Sequence, residues 1–169
     1  FDFKPVPKII KNINSTHFRQ AEKTSNNYYI RGVRYKKGED WQENYYSVGK
    51  KTLEKDFEIM KNSGFNTVQF KGGNIYDYNI LSYTKKNNLK VLYQFDIDNS
   101  TDFINNKEYL ENKAEAILKK VNTLKSDKNV IGFVIEFNLQ NYYLKPLLNY
   151  EQTAYLTWLQ DVLLKIKTI

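Results

Sequence analysis

The sequence contains no cysteine and a single histidine, His17, among its 169 residues. The missing cysteines exclude disulfide bonds, thiolate zinc sites and a cysteine nucleophile, and one histidine excludes a multi-histidine metal site. Glycine (7) and proline (3) are also scarce, which argues against a fibrous or low-complexity chain. No apolar run approaches the ~20 residues of a membrane-spanning helix. The sequence therefore predicts a globular protein, and it predicts neither a metal nor a cofactor.

The residues that are present are typical of one folded domain with a substantial core. Apolar residues make up 41% of the chain, aromatic residues 15% and charged residues 27%. The chain begins at Phe1 without an initiator methionine and without the basic-then-apolar layout of a signal peptide. We therefore expect a mature or excised piece.

The formal net charge of +7 suggests nucleic acid or another anionic partner as one possibility. Only Arg19, Arg31 and Arg34 are arginines, however, and arginine makes the commonest contacts to base edges. The lysines are scattered in pairs at polar positions of amphipathic segments, which is typical of a solvated surface. The sequence disfavours a nucleic-acid binder and leaves it as a third alternative.

Strand-like and helix-like patterns alternate from residue 28 onwards, whereas residues 1–27 show no sustained period and predict an N-terminal arm. Predicted strands lie at residues 28–35, 66–70, 89–96 and 130–135. Apolar residues at helical spacing follow each of them, from about residues 53, 80, 110 and 151. Thr52 is the predicted N-cap of the first helix and Gly64 its predicted end, and Asn87-Asn88 is the predicted end of the second helix. The pattern predicts an α/β domain of four consecutive βα units over residues 28–169.

Several of these stretches resemble the catalytic barrel of the clan A glycoside hydrolases, families 2 and 5 above all. Residues 30–35 (IRGVRY) resemble the first strand, and residues 52–68 resemble the first helix running into the second strand. Residues 88–92 and 129–135 resemble strands three and four. The resemblance implies the N-terminal half of a (β/α)8 TIM barrel, a retaining hydrolase type of site, and an extracytoplasmic or cell-envelope location.

The family's acid/base motif is degenerate here. Strand four of the family ends in Gly-Asn-Glu, and those positions correspond to Glu136, Phe137 and Asn138 in this chain. The amide of Asn138 cannot exchange the proton that the reaction needs. Glu136 is a weaker catalytic candidate because it lies about 6.5 Å deeper along the strand, and the preferred interpretation pairs it with Arg34 or Lys71. The nucleophile of the family lies on a seventh strand, so we expect the domain to be catalytically impaired.

Ligands of barrels and of open α/β sheets bind at the carboxyl ends of the strands. The loops at those ends carry aromatic rings, amides and carboxylates, which suit the apolar face and the hydroxyl groups of a sugar. We therefore predict an oligo- or polysaccharide ligand. The candidate substrate-binding residues are Arg34, Trp41, Tyr45, Gln69, Tyr76, Asp96 and Tyr142.

Half a barrel leaves two open sheet edges, so we expect something to cover them. The candidates are a missing C-terminal half, a second copy of the chain, the N-terminal arm or a partner protein. An open flavodoxin-like sheet, which needs no closure, is the alternative fold. The alternative function is a non-catalytic structural module in a protein assembly or in a membrane glycan-synthesis machine.

Overall fold

The computed structural model describes residues 28–39, 48–98, 100–137 and 149–169. Arg31–Ile169 forms one compact unit. Of the preceding unit, Phe1–Ile30, only residues 28–30 are described, and they have no regular secondary structure. The predicted N-terminal arm at residues 1–27 lies outside the described residues.

Strands and helices alternate along the described chain. The strands are β1 (Gly32–Tyr35), β2 (Thr67–Lys71), β3 (Lys90–Ile97) and β4 (Val130–Phe137). The helices are α1 (Lys50–Asn62), α2 (Asp77–Lys86), α3 (Lys107–Leu124) and α4 (Asn149–Lys167). The strands form a parallel sheet in the order β1-β2-β3-β4. The predicted α/β fold of consecutive βα units is confirmed at this level.

The predicted ends of the first two helices are confirmed, and the physical reason is a left-handed residue after each. Gly64 has φ 82° just after α1, and the Phe65 amide donates to the Met60 carbonyl at 3.1 Å. Asn88 has φ 56° just after α2. A residue in this conformation turns the chain away from the helix axis, which stops the helix.

The predicted N-cap of α1 is wrong. The helix begins at Lys50, and the N-cap is Gly49 in an extended conformation. The amides of Thr52 and Leu53 both donate to the Gly49 carbonyl, at 3.0 and 3.1 Å. Since glycine is tolerated at an N-cap almost as well as threonine, the helix gains its first turn without a side-chain cap.

The alternation of side chains gives the sheet two chemically different faces. The helix face is apolar, and α1 to α4 all pack against it in two core clusters. Phe57 of α1 and Val68, Val91 and Tyr93 of the sheet are 0% exposed. Burial of each large apolar side chain stabilises the fold by about 1.5–3 kcal/mol. The strand residues of the helix face are Val33, Tyr35, Val68, Phe70, Val91, Tyr93, Phe95, Ile97, Phe133, Ile135 and Phe137.

The opposite side of the sheet carries charged and amide side chains. The strand register places them on one surface because they occupy the positions between the residues of the helix face. We call this surface the polar face. Its charged and amide residues are Arg34, Gln69, Lys71, Gln94, Asp96 and Glu136, and Leu92 and Val134 lie on the same side as the register partners of Gln69 and Gln94.

Candidate functional site

The charged residues of the polar face lie towards the carboxyl ends of their strands. Arg34 is the third of four residues in β1, and Lys71 is the last residue of β2. Asp96 and Glu136 are each the last residue but one, in β3 and β4. This edge is where α/β proteins bind their ligands, because the loops that follow the strands surround it.

An ion pair joins the first strand to the last. Arg34 Nη1 lies 3.2 Å from both carboxylate oxygens of Glu136. Each side chain is 35% exposed. The preferred interpretation of Glu136 from the sequence, a carboxylate paired with a cation, is confirmed.

This pair shows that the polar face is concave. Through the register, Arg34 aligns with Gln69, Leu92 and Gly132, so Glu136 lies four residues (136 − 132) further along β4. In a flat sheet the two Cα atoms would be about 19 Å apart, from three strand spacings of about 4.8 Å and four residues of about 3.3 Å. Side chains stand roughly perpendicular to a sheet. They meet here because the sheet curves around the polar face.

A second set of contacts links β2 to β3 on the same face. Gln69 Nε2 donates to Gln94 Oε1 at 2.6 Å, and Gln94 Nε2 donates to Asp96 Oδ1. Lys71 Nζ lies 2.9 Å from Asp96 Oδ2. Gln94 is 0% exposed, whereas the side chains of Lys71 and Asp96 are 40% and 30% exposed. A buried amide therefore fixes a carboxylate and an ammonium group that remain open to solvent.

Glu39 lies in the electrostatic field of this face, although the sequence interpretation gave it no role. It belongs to the turn that follows β1. Burial raises the pKa of Glu39 above its ordinary value, against the opposing effects of Arg34 and Lys71, and Asp96 adds to the increase. The position of Glu39 depends on how the turn folds, which no periodicity in the sequence reports.

The structure brings together four of the predicted site residues and separates a fifth. Arg34, Gln69, Asp96 and Glu136 lie on the polar face. Tyr76 does not join them, since it is 8% exposed in the core and its hydroxyl accepts the Val48 amide at 3.1 Å. The remaining predicted site residues, Trp41, Tyr45, Asn138 and Tyr142, lie outside the described residues.

Lys71 and Gln94 were missed as site residues, yet the sequence contains a signal for them. Polar residues alternate with apolar ones in residues 68–71 (VQFK) and 93–96 (YQFD). Period-two alternation places such residues on one side of a strand. The apolar run at residues 130–135 gives the opposite signal, because a continuous apolar strand is typical of a sheet covered on both faces.

The loop after β2 is held in place beside this edge. Asp77 accepts the Gly73 amide at 3.0 and 3.1 Å and the Asn74 amide at 3.3 Å. It also accepts the Tyr93 hydroxyl, and Lys120 Nζ lies 3.1 Å away. Asp77 is 8% exposed. The loop is thus ordered by hydrogen bonds to the carboxylate of Asp77.

The chemistry of the polar face is hydrogen bonding by paired charges and amides. Among the described residues, no group of three or more histidine, cysteine, aspartate or glutamate side chains is arranged to hold a metal ion. Within the same part of the chain, no helix has the length and hydropathy to cross a membrane. Both cations of the face contact carboxylates, which does not favour a polyanion as ligand.

Comparison of the chain with protein-family models, with curated proteins and with solved structures found no match.

Proposed function

We propose that this chain is the N-terminal half of a (β/α)8 barrel of the clan A glycoside hydrolase type. In this proposal, the polar face binds an oligo- or polysaccharide. The domain belongs to a larger carbohydrate-active protein or assembly, and it is catalytically impaired.

The strand order and the single helix layer support the barrel. Parallel crossovers are right-handed in about 98% of cases, so an unreversed order places successive helices on one side of the sheet. A doubly wound sheet such as the flavodoxin type reverses its order and carries helices on both faces. The described strands run β1 to β4 without reversal, and α1 to α4 pack on the helix face.

The contact between Arg34 and Glu136 is the observation that carries the proposal. Closed barrels need curved sheets whose strands are staggered by a regular shear. Arg34 contacts Glu136, which lies four residues beyond the β4 residue in register with Arg34, three strand spacings away. Gln69 and Lys71 each contact a residue two positions beyond their register partner in β3. All three offsets have the same direction, as barrel shear requires.

The polar face supports a hydroxyl-rich ligand. A sugar needs donors and acceptors in a fixed arrangement on a concave surface, and the guanidinium, ammonium, amide and carboxylate groups supply both. Glu136 is engaged by Arg34 instead of being free to transfer a proton, which supports impaired catalysis.

The test measures glycan binding and hydrolysis together. Isothermal titration with soluble β-glucan, xylan and mannan oligosaccharides is expected to show saturable binding. Arg34→Gln should weaken it about tenfold, the loss of a hydrogen bond from a charged group. Arg31→Gln is the matched control, because Arg31 precedes the other end of β1 and its Nε donates to the Gly64 carbonyl.

Incubation with aryl glycosides and β-glucans should release no reducing sugar above background. Release that disappears in Glu136→Gln would show that the domain is a working hydrolase. Absence of saturable binding to every glycan would contradict the carbohydrate proposal and leave the second candidate.

The second candidate is a non-catalytic structural module. One observation favours it: among the described strands, β1 pairs only with β2 and β4 pairs only with β3. Two such edges allow a partner chain to extend the sheet. This candidate predicts association without glycan binding.

A further inference from the structure

The last strand and the last helix of the described chain are covered on one side and open on the other. All eight residues of β4 are partly exposed, whereas four of the eight residues of β3 are buried. Within residues 150–167 of α4, only Val162 is buried. Since β4 pairs with β3 alone among the described strands, the open side is the one where a further strand and helix would lie.

The open side of α4 carries three leucines at helical spacing, Leu156, Leu159 and Leu163, which we call the leucine stripe. Trp158 marks the side that packs on α3, because its Nε1 donates to the Leu110 carbonyl at 3.2 Å. Leu156 is 41% exposed. The other two leucines are partly exposed, and none of the three belongs to the core clusters of the described residues. A row of apolar side chains left open to solvent is typical of an interaction surface.

The first strand and helix have a free side that complements the leucine stripe. Glu54 Oε1 of α1 lies 2.7 Å from Lys86 Nζ, which identifies the side of α1 that faces α2. Ile59 comes five residues later, on the other side of the helix, and is 51% exposed. Next to it, β1 pairs only with β2 among the described strands. The chain therefore presents a strand edge and an apolar helix side at its start, and lacks a cover for the same two features at its end.

We infer that the leucine stripe is an interface for a second copy of this chain, in which α1 of one copy packs on the stripe of the other and β1 pairs with β4. A two-fold axis along the barrel keeps all strands parallel and forms this interface twice. Four strands from each copy then make the eight strands of a closed (β/α)8 barrel, which has no sheet edge. This inference rests on the barrel architecture of the proposed function and is independent of its ligand.

The first test places a charge at each side of the interface. Sedimentation velocity of Leu156→Glu and of Ile59→Glu should show a dimer dissociation constant about a hundredfold above that of the wild type, because a carboxylate would be buried without a partner. Leu164→Glu is the matched control, since Leu164 is 51% exposed on α4 but lies outside the stripe. It should leave the dissociation constant unchanged.

The second test identifies which helices face each other. The sequence has no cysteine, so a short bismaleimide reacts only with introduced ones. Neighbouring helices pack about 8–10 Å apart, a distance that such a reagent spans. An equal mixture of Ile59→Cys and Leu159→Cys chains should give a covalent dimer of twice 20.1 kDa, whereas neither variant should give it alone.

Three results would overturn the inference. A covalent dimer from Leu159→Cys alone would show that α4 packs on α4 of the other copy. A wild type that stays monomeric at 100 µM, or a dimer that Leu164→Glu weakens as much as Leu156→Glu does, would show that the stripe is not the interface. A cross-linked dimer that binds none of the glycans would instead contradict the proposed ligand and leave the interface intact.

Discussion

Tyr93 connects the apolar core to the loop after β2 through its hydroxyl group. The hydroxyl donates to Asp77 and accepts the Gly73 amide at 2.9 Å. Burial, and then the adjacent Asp77 carboxylate, raise the pKa of Tyr93 well above its ordinary value of 10.0. Gly72 has no space for a side chain, because a Cβ atom would overlap the Tyr93 ring. Ring and hydroxyl together fix the path of this loop.

Tyr93→Phe should therefore destabilise the protein in a manner that depends on pH. At pH 7.5 we expect a loss of about 1–3 kcal/mol, because Asp77 loses a buried donor. Since the folded pKa lies above the unfolded one, the stability that Tyr93 contributes is complete below about pH 10 and is lost as the pH rises above it. The difference between variant and wild type should consequently shrink at pH 10.5. Urea denaturation at both pH values measures this difference in the free energy of unfolding.

Tyr78→Phe is the matched control, because Tyr78 is 80% exposed on α2. Its effect should stay within about 0.5 kcal/mol. If Tyr93→Phe lost the same unfolding free energy at both pH values, the Tyr93 hydroxyl would not have the raised pKa that its burial requires.

At the residue scale, the sequence predicted correctly those features that follow from the alternation of side chains along a strand. A cationic partner for Glu136 was predictable because the alternation of side chains places Arg34, Lys71 and Glu136 on one face. That the partner is Arg34, on the first of the four strands, depends on the curvature of the sheet. Tyr76 was misplaced because a tyrosine in a loop can face the core or the ligand, and only the packed turn at Gly38 decides between them. Glu39 depends on the same turn and was missed for the same reason.

At the scale of elements, the strands and helices were predictable because each carries its own periodicity. The helical spacing of Leu110, Ala114, Ile117 and Val121 matches the buried stripe of α3. The start of α1 was placed too late, at Thr52, because a glycine N-cap leaves no side-chain signal. The two-faced character of the sheet was present in the alternation of β2 and β3, and the apolar run of β4 obscured it.

The turn between β1 and α1 provides a test of how closely one element packs on another. Gly38→Ala should destabilise the protein by about 2–4 kcal/mol, because a left-handed conformation and the Tyr76 ring both oppose a Cβ atom. Gly49→Ala, at the N-cap of α1, is the control, since no atom lies within 4 Å of the added Cβ. It should cost less than about 1 kcal/mol. If urea unfolding showed equal losses of unfolding free energy for the two variants, the turn would accommodate a Cβ atom at position 38 with little loss of stability.

At the scale of the whole molecule, the curvature of the sheet has a consequence for its edges. The contact between Arg34 and Glu136 shows that β1 and β4 curve towards each other around the polar face. A sheet curved in this way approaches closure when further strands are added at both edges. The sequence predicted the number and direction of the described strands. Their curvature depends on side-chain contacts between strands, which no pattern within a single strand reports.

We therefore expect the isolated 169-residue chain to associate through its strand edges. Sedimentation velocity should show the apparent mass rising from 20.1 kDa towards about twice that value with concentration. The Arg31 carbonyl accepts the Asn66 amide of the β2 side. Because successive residues of a parallel strand direct their amides to opposite sides, the amides of Gly32 and Arg34 face away from β2. They should exchange rapidly in the dilute protein and become protected as the mass rises. A chain that stays monomeric at 100 µM, or that associates while these two amides continue to exchange, would show that the β1 edge is not the surface that a partner covers.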